Sequence, residues 1–292
     1  MKLGIATVSI SRQFPDERDE IRQYAKIGFE AMDYGGYAHA DEDSIYLRDG
    51  WEEYAHSLRE TADECGMFFS QVHAPMLGAP GTDPGEERKL ELTRRYFRLC
   101  EILGAPYLVI HPRLFPDGIY GKKREEYIAY NVDFYRGFIP LAQKHGVVIG
   151  IENMFGGDPE TGALCPITFS TMDDIIECMD RLDSDRFAAC LDTGHANIVG
   201  IPPHDAVRQL GKRLKLLHVH DNYGTRDDHM ACTYGNIDWD AFLDALREVG
   251  YSGVFSAETG GMAIYSPAEA GYDAVKLTHS IHSALLREKG ML

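Results

Sequence analysis

Short apolar runs alternate along this chain with longer segments whose apolar residues recur every three or four positions. Eight short runs are predicted as strands: residues 3–8, 31–34, 68–72, 107–110, 147–151, 187–191, 214–219 and 254–257. Several of them, such as YLVI and VVIGI, are apolar without alternation. A strand of a parallel sheet covered on both faces reads this way. The longer segments carry helical spacing. Leu92, Tyr96, Leu99 and Leu103 mark one helix that stops at Gly104. Ile128, Val132, Tyr135, Ile139 and Ala142 mark another, with a kink expected at Pro140. A third starts from Asp238 as N-cap, buries Phe242, Leu246 and Val249, and stops at Gly250. The last is expected over residues 267–287.

Eight strand-then-helix units in 292 residues predict a closed (β/α)8 TIM barrel forming a single domain over residues 1–292. An open doubly wound sheet is the rival, and it usually carries a Gly-rich phosphate turn after its first strand. Here that turn reads SISRQFPDE, without such glycines. The long connections, residues 34–50, 74–85, 112–123, 153–169 and 221–237, all follow strands. In a barrel they fall on one face, where active sites are built.

Composition narrows the partners. The formal net charge of −17 disfavours nucleic acid and anionic membrane surfaces. No apolar run approaches the roughly 20 residues that span a bilayer, and the N-terminus does not read as a signal peptide. The six cysteines form no CxxC pair and are expected to be reduced, in a cytoplasmic protein.

Imidazoles and carboxylates fall at the C-terminal ends of the predicted strands. His73 ends the third, His111 the fourth, Glu152 the fifth and Asp192 the sixth, with His195 three residues on. His218 and His220 end the seventh, Glu258 the eighth, and Asp227 and His229 follow in the loop after the seventh. A barrel gathers these ends around one axis. A carboxylate buried there costs several kcal/mol unless paired or bound to a metal. Glu152, Asp192, His220 and Glu258 therefore predict a divalent metal site, an oxygen-rich set suited to Mn, Mg, Co or Zn. His218 is expected one layer deeper, packing beneath these ligands.

At these residues the chain resembles the xylose isomerase-like barrel superfamily, which unites sugar phosphate isomerases and epimerases with the multi-zinc apurinic/apyrimidinic endonucleases. The resemblance rests on I-E-N at Glu152, L-D-T-G-H-A-N around Asp192 and His195, H-V-H-D-N, then R-D-D-H-M and G-N-I-D-W, in this order. It implies one metal on Glu152, Asp192, His220 and Glu258, the two glutamates as acid/base pair, and His195 as a substrate contact. On the endonuclease side it implies a second ion on His73, His111 and Glu152, and a third on His195, Asp227 and His229. It also implies pairing of barrels into homo-oligomers.

The leading expectation is a metal-dependent isomerase or epimerase acting on a sugar, a sugar phosphate or a related polyol. A metal stabilises the charge of an enediolate while one carboxylate removes a proton and another returns it. The alternative is phosphodiester cleavage at abasic DNA, against which stand the acidic loops YGGYAHADEDSIYLRDG and APMLGAPGTDPGEE. A non-catalytic metal- or sugar-binding barrel is a third reading. Lys122, Lys123 and Arg124 are candidates for reaching a phosphate, or else a solvated basic patch. Tyr37, Phe115, Tyr120 and Phe155 are candidates for ring stacking, and Glu160 and Arg226 loose candidates for grasping a ketose.

Overall fold

The computed structural model describes residues 1–7, 9–115 and 120–292. Eight parallel strands form the barrel: β1 (Lys2–Ala6), β2 (Ala31–Tyr34), β3 (Phe68–His73), β4 (Tyr107–Val109), β5 (Val148–Glu152), β6 (Phe187–Asp192), β7 (Leu214–His218) and β8 (Val254–Ala257). Each pairs with its sequence neighbour, and β1 also pairs with β8. The ring closes between β7 and β8 through a bridge at Val219 and Ala257, with Val219 N donating to Ser256 O at 2.8 Å. All eight predicted strands are present with ends shifted by one or two residues. Val8, the expected end of the first, lies outside the described residues.

Alternation along the strands separates two kinds of packing. Leu108, Ile149, Ile151, Leu191, Leu217, Val219 and Phe255 join the large core shared with the helices. Val109, Ala188, Cys190 and Leu216 form a separate small cluster with Tyr107 and Val148 against it. These residues share parity with His111, Glu152, Asp192 and His218, so the same side of each strand leads from apolar packing into the polar groups at its C-terminal end. Small residues make room there: a Cβ on Gly150 would lie 3.3 Å from both Leu216 and Val109 side chains.

The helices largely follow their sequence signals. Asp238 caps the helix Trp239–Glu248, accepting from Ala241 N at 3.0 Å. The segment with the expected kink is two helices, Arg124–Arg136 and Ile139–His145. The break falls at Gly137 and Phe138, and Pro140 sits in the first turn of the second helix, where its missing N–H costs nothing. The last helix runs Gly271–Glu288, preceded by a 3₁₀ turn at Ala268–Ala270. The loop after β5 carries a small antiparallel ribbon, Gly156–Gly157 against Leu164–Cys165, which no periodicity announces. All six cysteines are unpaired. Among the described residues no helix is long and apolar enough to cross a membrane.

Phe242 is fully buried on the helix Trp239–Glu248. Phe242→Ala is expected to destabilise the fold by about 3–5 kcal/mol through lost transfer energy and the cavity left behind. Urea unfolding checks this, and a change under about 1 kcal/mol would mean that the site collapses freely.

Candidate metal centre and active site

The strand ends converge as the sequence predicts, with one exchange of partners. Ligand atoms of Glu152, Asp192, His218 and Glu258 all lie within 4.8 Å of one another. So do those of His73, His111 and Glu152, and those of His195, His220, Asp227 and His229. The expected set placed His220 with the three carboxylates and His218 beneath them. The structure puts His218 in that position and His220 in the third group. The reason is register. A shift between Ala189 and Cys190 brings Asp192 directly opposite His218 on β7. His220 lies two residues further along, roughly 6.6 Å higher at the rise of a strand.

Local structure fixes each group. Asp192 ends β6 and caps the short helix Thr193–Ile198, its Oδ1 accepting from His195 N at 2.7 Å. Its carboxylate oxygens lie 2.9 and 3.0 Å from His220 Nε2. The His220 ring sits against Gly194, where a Cβ would come within 1.9 Å of Cε1, so only glycine fits. Asn153 ties β5 to β6, donating to Asp192 O at 2.9 Å and accepting from Asp192 N at 2.8 Å. The β7 loop is anchored by Asp221, which accepts from the Trp239 indole at 2.8 Å. His195 directs Nδ1 to Asn153 O and His229 directs Nδ1 to Glu258 O, each at 2.8 Å. These bonds leave both Nε2 atoms towards Asp227, at 3.7 and 3.0 Å.

The contacts inside the centre are close but poorly aligned for hydrogen bonding. His111 Nε2 is 3.2 Å and His73 Nε2 3.6 Å from Glu152 Oε2, yet that oxygen has no hydrogen-bond partner. His218 Nδ1 is 3.2 Å from both Glu152 Oε1 and Glu258 Oε2, and it too is unpartnered. Buried polar atoms are rarely left so. Donor atoms that crowd together without pointing at each other could share a cation. The composition of the sets fits that: three carboxylates and one imidazole in one, three imidazoles and one carboxylate in another. Among the described residues no lysine or arginine forms an ion pair with Glu152, Asp192 or Glu258; their partners are histidines.

The electrostatics of the metal-free chain follow from this crowding. Burial pushes Glu152 up, but the His218 and His111 imidazoles outweigh it and hold the carboxyl well below its usual range. Burial raises Glu258. Burial opposes charge on His195 and His229, yet the Asp192 charge and an Asp227 contact raise the first to about 10, and Asp227 raises the second to about 9. His73 is pushed down to about 3 by burial and by His111 and His218, so it stands neutral.

The other candidates divide. Tyr37 packs edge-on against His73 with ring centres 5.3 Å apart, and Phe155 against His195 at 4.9 Å. Both line the mouth. Phe115 stacks on Tyr127 at 4.0 Å, while Tyr120 is exposed at its backbone contact with Pro166. Arg124 is spent on Asp174 and Glu177, at 2.6 and 2.7 Å. Lys122 and Lys123 are exposed. Glu160 is exposed in a turn organised by Asp158, and Arg226 lies 3.5 Å from Asp228. Sequence reading passed over Asp33, which is buried against His218, although a lone carboxylate inside AMDYG is itself a signal. It also passed over a cavity of about 310 Å3 beside Glu258, lined by Tyr37, Asp228, His229, Ile264 and Tyr265.

These shifts set a sign for pH. His195 and His229 bind protons more tightly in the folded chain than the roughly 6.5 of a free imidazole. Their contribution to stability is complete below that value and is lost as pH rises through about 9 and about 10. Chelator-treated protein is therefore expected to melt at a lower temperature at pH 9.5 than at pH 7. A bound divalent ion replaces those protons and flattens the dependence. Thermal melts followed by circular dichroism check this; a flat profile without metal contradicts the assignment.

Known proteins agree with the architecture. The sequence profile of the xylose isomerase-like TIM barrel family matches residues 21–280. An uncharacterised protein of Methanocaldococcus jannaschii is 30% identical over 64% of this chain and 63% of its own. The inosose isomerase of Bacillus subtilis is 28% identical over 54% of this chain and 55% of its own, and the probable endonuclease 4 of Metamycoplasma arthritidis is 27% identical over 57% and 59%. The chain thus spans less than two thirds of the length of these relatives. Among solved structures, the IOLI protein with a bound zinc atom superposes with a TM-score of 0.75 at 22% identity, covering 98% of this chain and 99% of that one. With the profile spanning all but the two ends, and eight strands closing into the same barrel, the chain belongs to the xylose isomerase-like TIM barrel family.

Proposed function

We propose that this protein is a metal-dependent isomerase or epimerase of a sugar, sugar phosphate or related polyol. The observation that carries the reading is the placement of Glu152 and Glu258. Each has a carboxylate oxygen 3.2 Å from the same His218 nitrogen, and they come from β5 and from the end of β8. Glu152, Asp192, His218 and Glu258 would hold the principal divalent ion, with His73 and His111 extending Glu152 towards a second. When bound, such an ion supplies Lewis-acid stabilisation of negative charge on neighbouring substrate oxygens.

The chain's own groups do the rest. Glu258 borders the cavity and has its carboxyl raised by burial, the direction that fits a group exchanging a proton with substrate. Glu152 faces the same space from β5, so one glutamate removes a proton from the carbon beside a carbonyl and the other returns one. His195 donates Nδ1–H to Asn153 O, which leaves Nε2 for a substrate hydroxyl. Tyr37 and Phe155 wall the mouth against water. A cavity of about 310 Å3 lies at the small end of ligand pockets, in keeping with a single sugar ring. Inosose isomerase among the relatives supports the substrate class.

A second reading has its own observation. The three ligand groups, two of which share Glu152, contain all nine residues that the endonuclease resemblance names, with His218 rather than His220 beside the three carboxylates. Against it stands the strongly acidic chain, which repels a phosphate backbone.

Two experiments test these readings. Metal analysis of protein purified without chelator is expected to find at least one divalent ion per chain. His218→Ala should remove the ion at the carboxylate-rich site and His220→Ala should leave it there, as read by anomalous scattering; the reverse result restores the sequence-based ligand set. Glu258→Gln is expected to lower turnover of ketose or inosose substrates by about 10²–10⁴-fold while keeping the fold. Turnover unchanged by Glu258→Gln removes the acid/base role. Cutting of an abasic duplex by the zinc-loaded protein moves the assignment to the endonucleases.

A further inference from the structure

Asp33 lies inside the barrel on β2, 1% exposed; its carboxylate clusters with His73 and His218 but stands outside the three groups described at the mouth. Its Oδ2 lies 3.3 Å from His218 Nε2, an ion-pair distance at which that nitrogen makes no aligned hydrogen bond, and accepts from Gln71 Nε2 at 2.6 Å, while Oδ1 has no partner. The other His218 nitrogen, Nδ1, faces Glu152 and Glu258. His218 is thus an imidazole with a carboxylate at each end, and its ring is sandwiched on one side by His73, 4.9 Å away between centres. The backbone contributes as well. The β2–β3 register shifts between Met32 and Asp33, so that Asp33 stands opposite Gln71 rather than Ser70. Such irregularities re-aim a side chain. Here the result is a buried carboxylate with no cation other than a histidine beside it.

We propose that Asp33 is a positioning residue: it takes the Nε2 proton of His218 and so presents the Nδ1 lone pair to the cation held by Glu152, Asp192 and Glu258. This inference rests on the reading of the mouth as a metal centre. Neutral imidazole carries one proton, and that proton goes to the nitrogen with a hydrogen-bond acceptor. Asp33 supplies the acceptor on the side away from the metal, and Gln71 fixes Asp33. The ring orientation of His218 is then set before any ion arrives, and when a cation displaces the proton on Nδ1 the one that remains is on Nε2, facing Asp33. Partners of this kind are worth about 10–100-fold in metal affinity.

The test uses the full-length protein with ¹⁵N-labelled histidine, stripped by chelator and titrated with zinc, with the His218 resonances as reporter. The expected zinc-loaded spectrum shows Nδ1 of His218 metal-bound and Nε2 protonated. Asp33→Asn keeps an oxygen for Gln71, so the fold should hold, while half-occupancy at His218 moves to about 10–100-fold higher free zinc. A loaded wild-type spectrum with Nδ1 protonated overturns the inference without any variant. So does Asp33→Asn taking up zinc at His218 as tightly as wild type. If wild-type protein takes up no zinc at all, the metal-centre reading fails, a result distinct from zinc uptake that ignores Asp33.

Discussion

Glu152, Asp192 and Glu258 bring three carboxylates within 4.8 Å of one another at the mouth of the barrel, and among the described residues neither lysine nor arginine pairs with them. Like charges at such distances repel strongly where the dielectric is low. Something positive has to enter. In the metal-free chain it is protons, held on His195, His218 and His229 well above the ordinary imidazole range. On the proposed metal-centre reading, a divalent cation would do the same with lone pairs that now point past one another, and proton and metal would compete for one set of sites.

The scaffold meets that demand by rigid placement. Each ligand sits at or just past a strand terminus, where the ladder fixes its height, and a neighbour fixes its direction. Asn153 locks Glu152's strand to Asp192's through a reciprocal pair of bonds. Thr193 Oγ1 donates to His220 O and accepts from His220 N, binding β6 to the chain beyond β7. Gly194 allows the His220 ring to lie against the start of a helix that Asp192 itself caps. Beneath them the small cluster of Val109, Ala188, Cys190 and Leu216 plugs the barrel, so the ligands rest on a dry floor.

The barrel was legible in the sequence because its signal, an apolar run and then an amphipathic helix, is repeated eight times, with a ligand-type residue at the ends of six of the strands. Ten groups gather at the mouth, and all carry residue types that announce themselves at strand ends or in the stretches just after them. What periodicity does not carry is the stagger between neighbouring strands. His218 and His220 share parity and differ by one pleat, and a shift between Ala189 and Cys190 decides which of them is level with Asp192. Asp33 escaped for a related reason. Its strand is only Ala31–Tyr34, and its partner across the barrel is remote in sequence. The ribbon after β5 is made of two-residue strands, too short to show any alternation.

The three ligand groups also bear on how one centre serves different chemistries. Glu152 belongs to two of them, and Asp192 touches His220 of the third, so occupancy of one changes the charge felt by the next. The carboxylate-rich group favours hard ions and the imidazole-rich group borderline ones. Ligand type alone therefore does not select between proton transfer on a sugar and attack on a phosphodiester. The walls do. A phosphate backbone needs cations along the approach, and here Arg124 is consumed by Asp174 and Glu177 while Arg113 is buried against Glu86. Beside Glu258 the surface offers Tyr37, Ile264 and Tyr265 instead, an apolar rim that suits the face of a small ring. On the proposed reading, a charged centre beside these apolar side chains favours a neutral or modestly charged small substrate, whose hydroxyl and carbonyl oxygens would meet the metal.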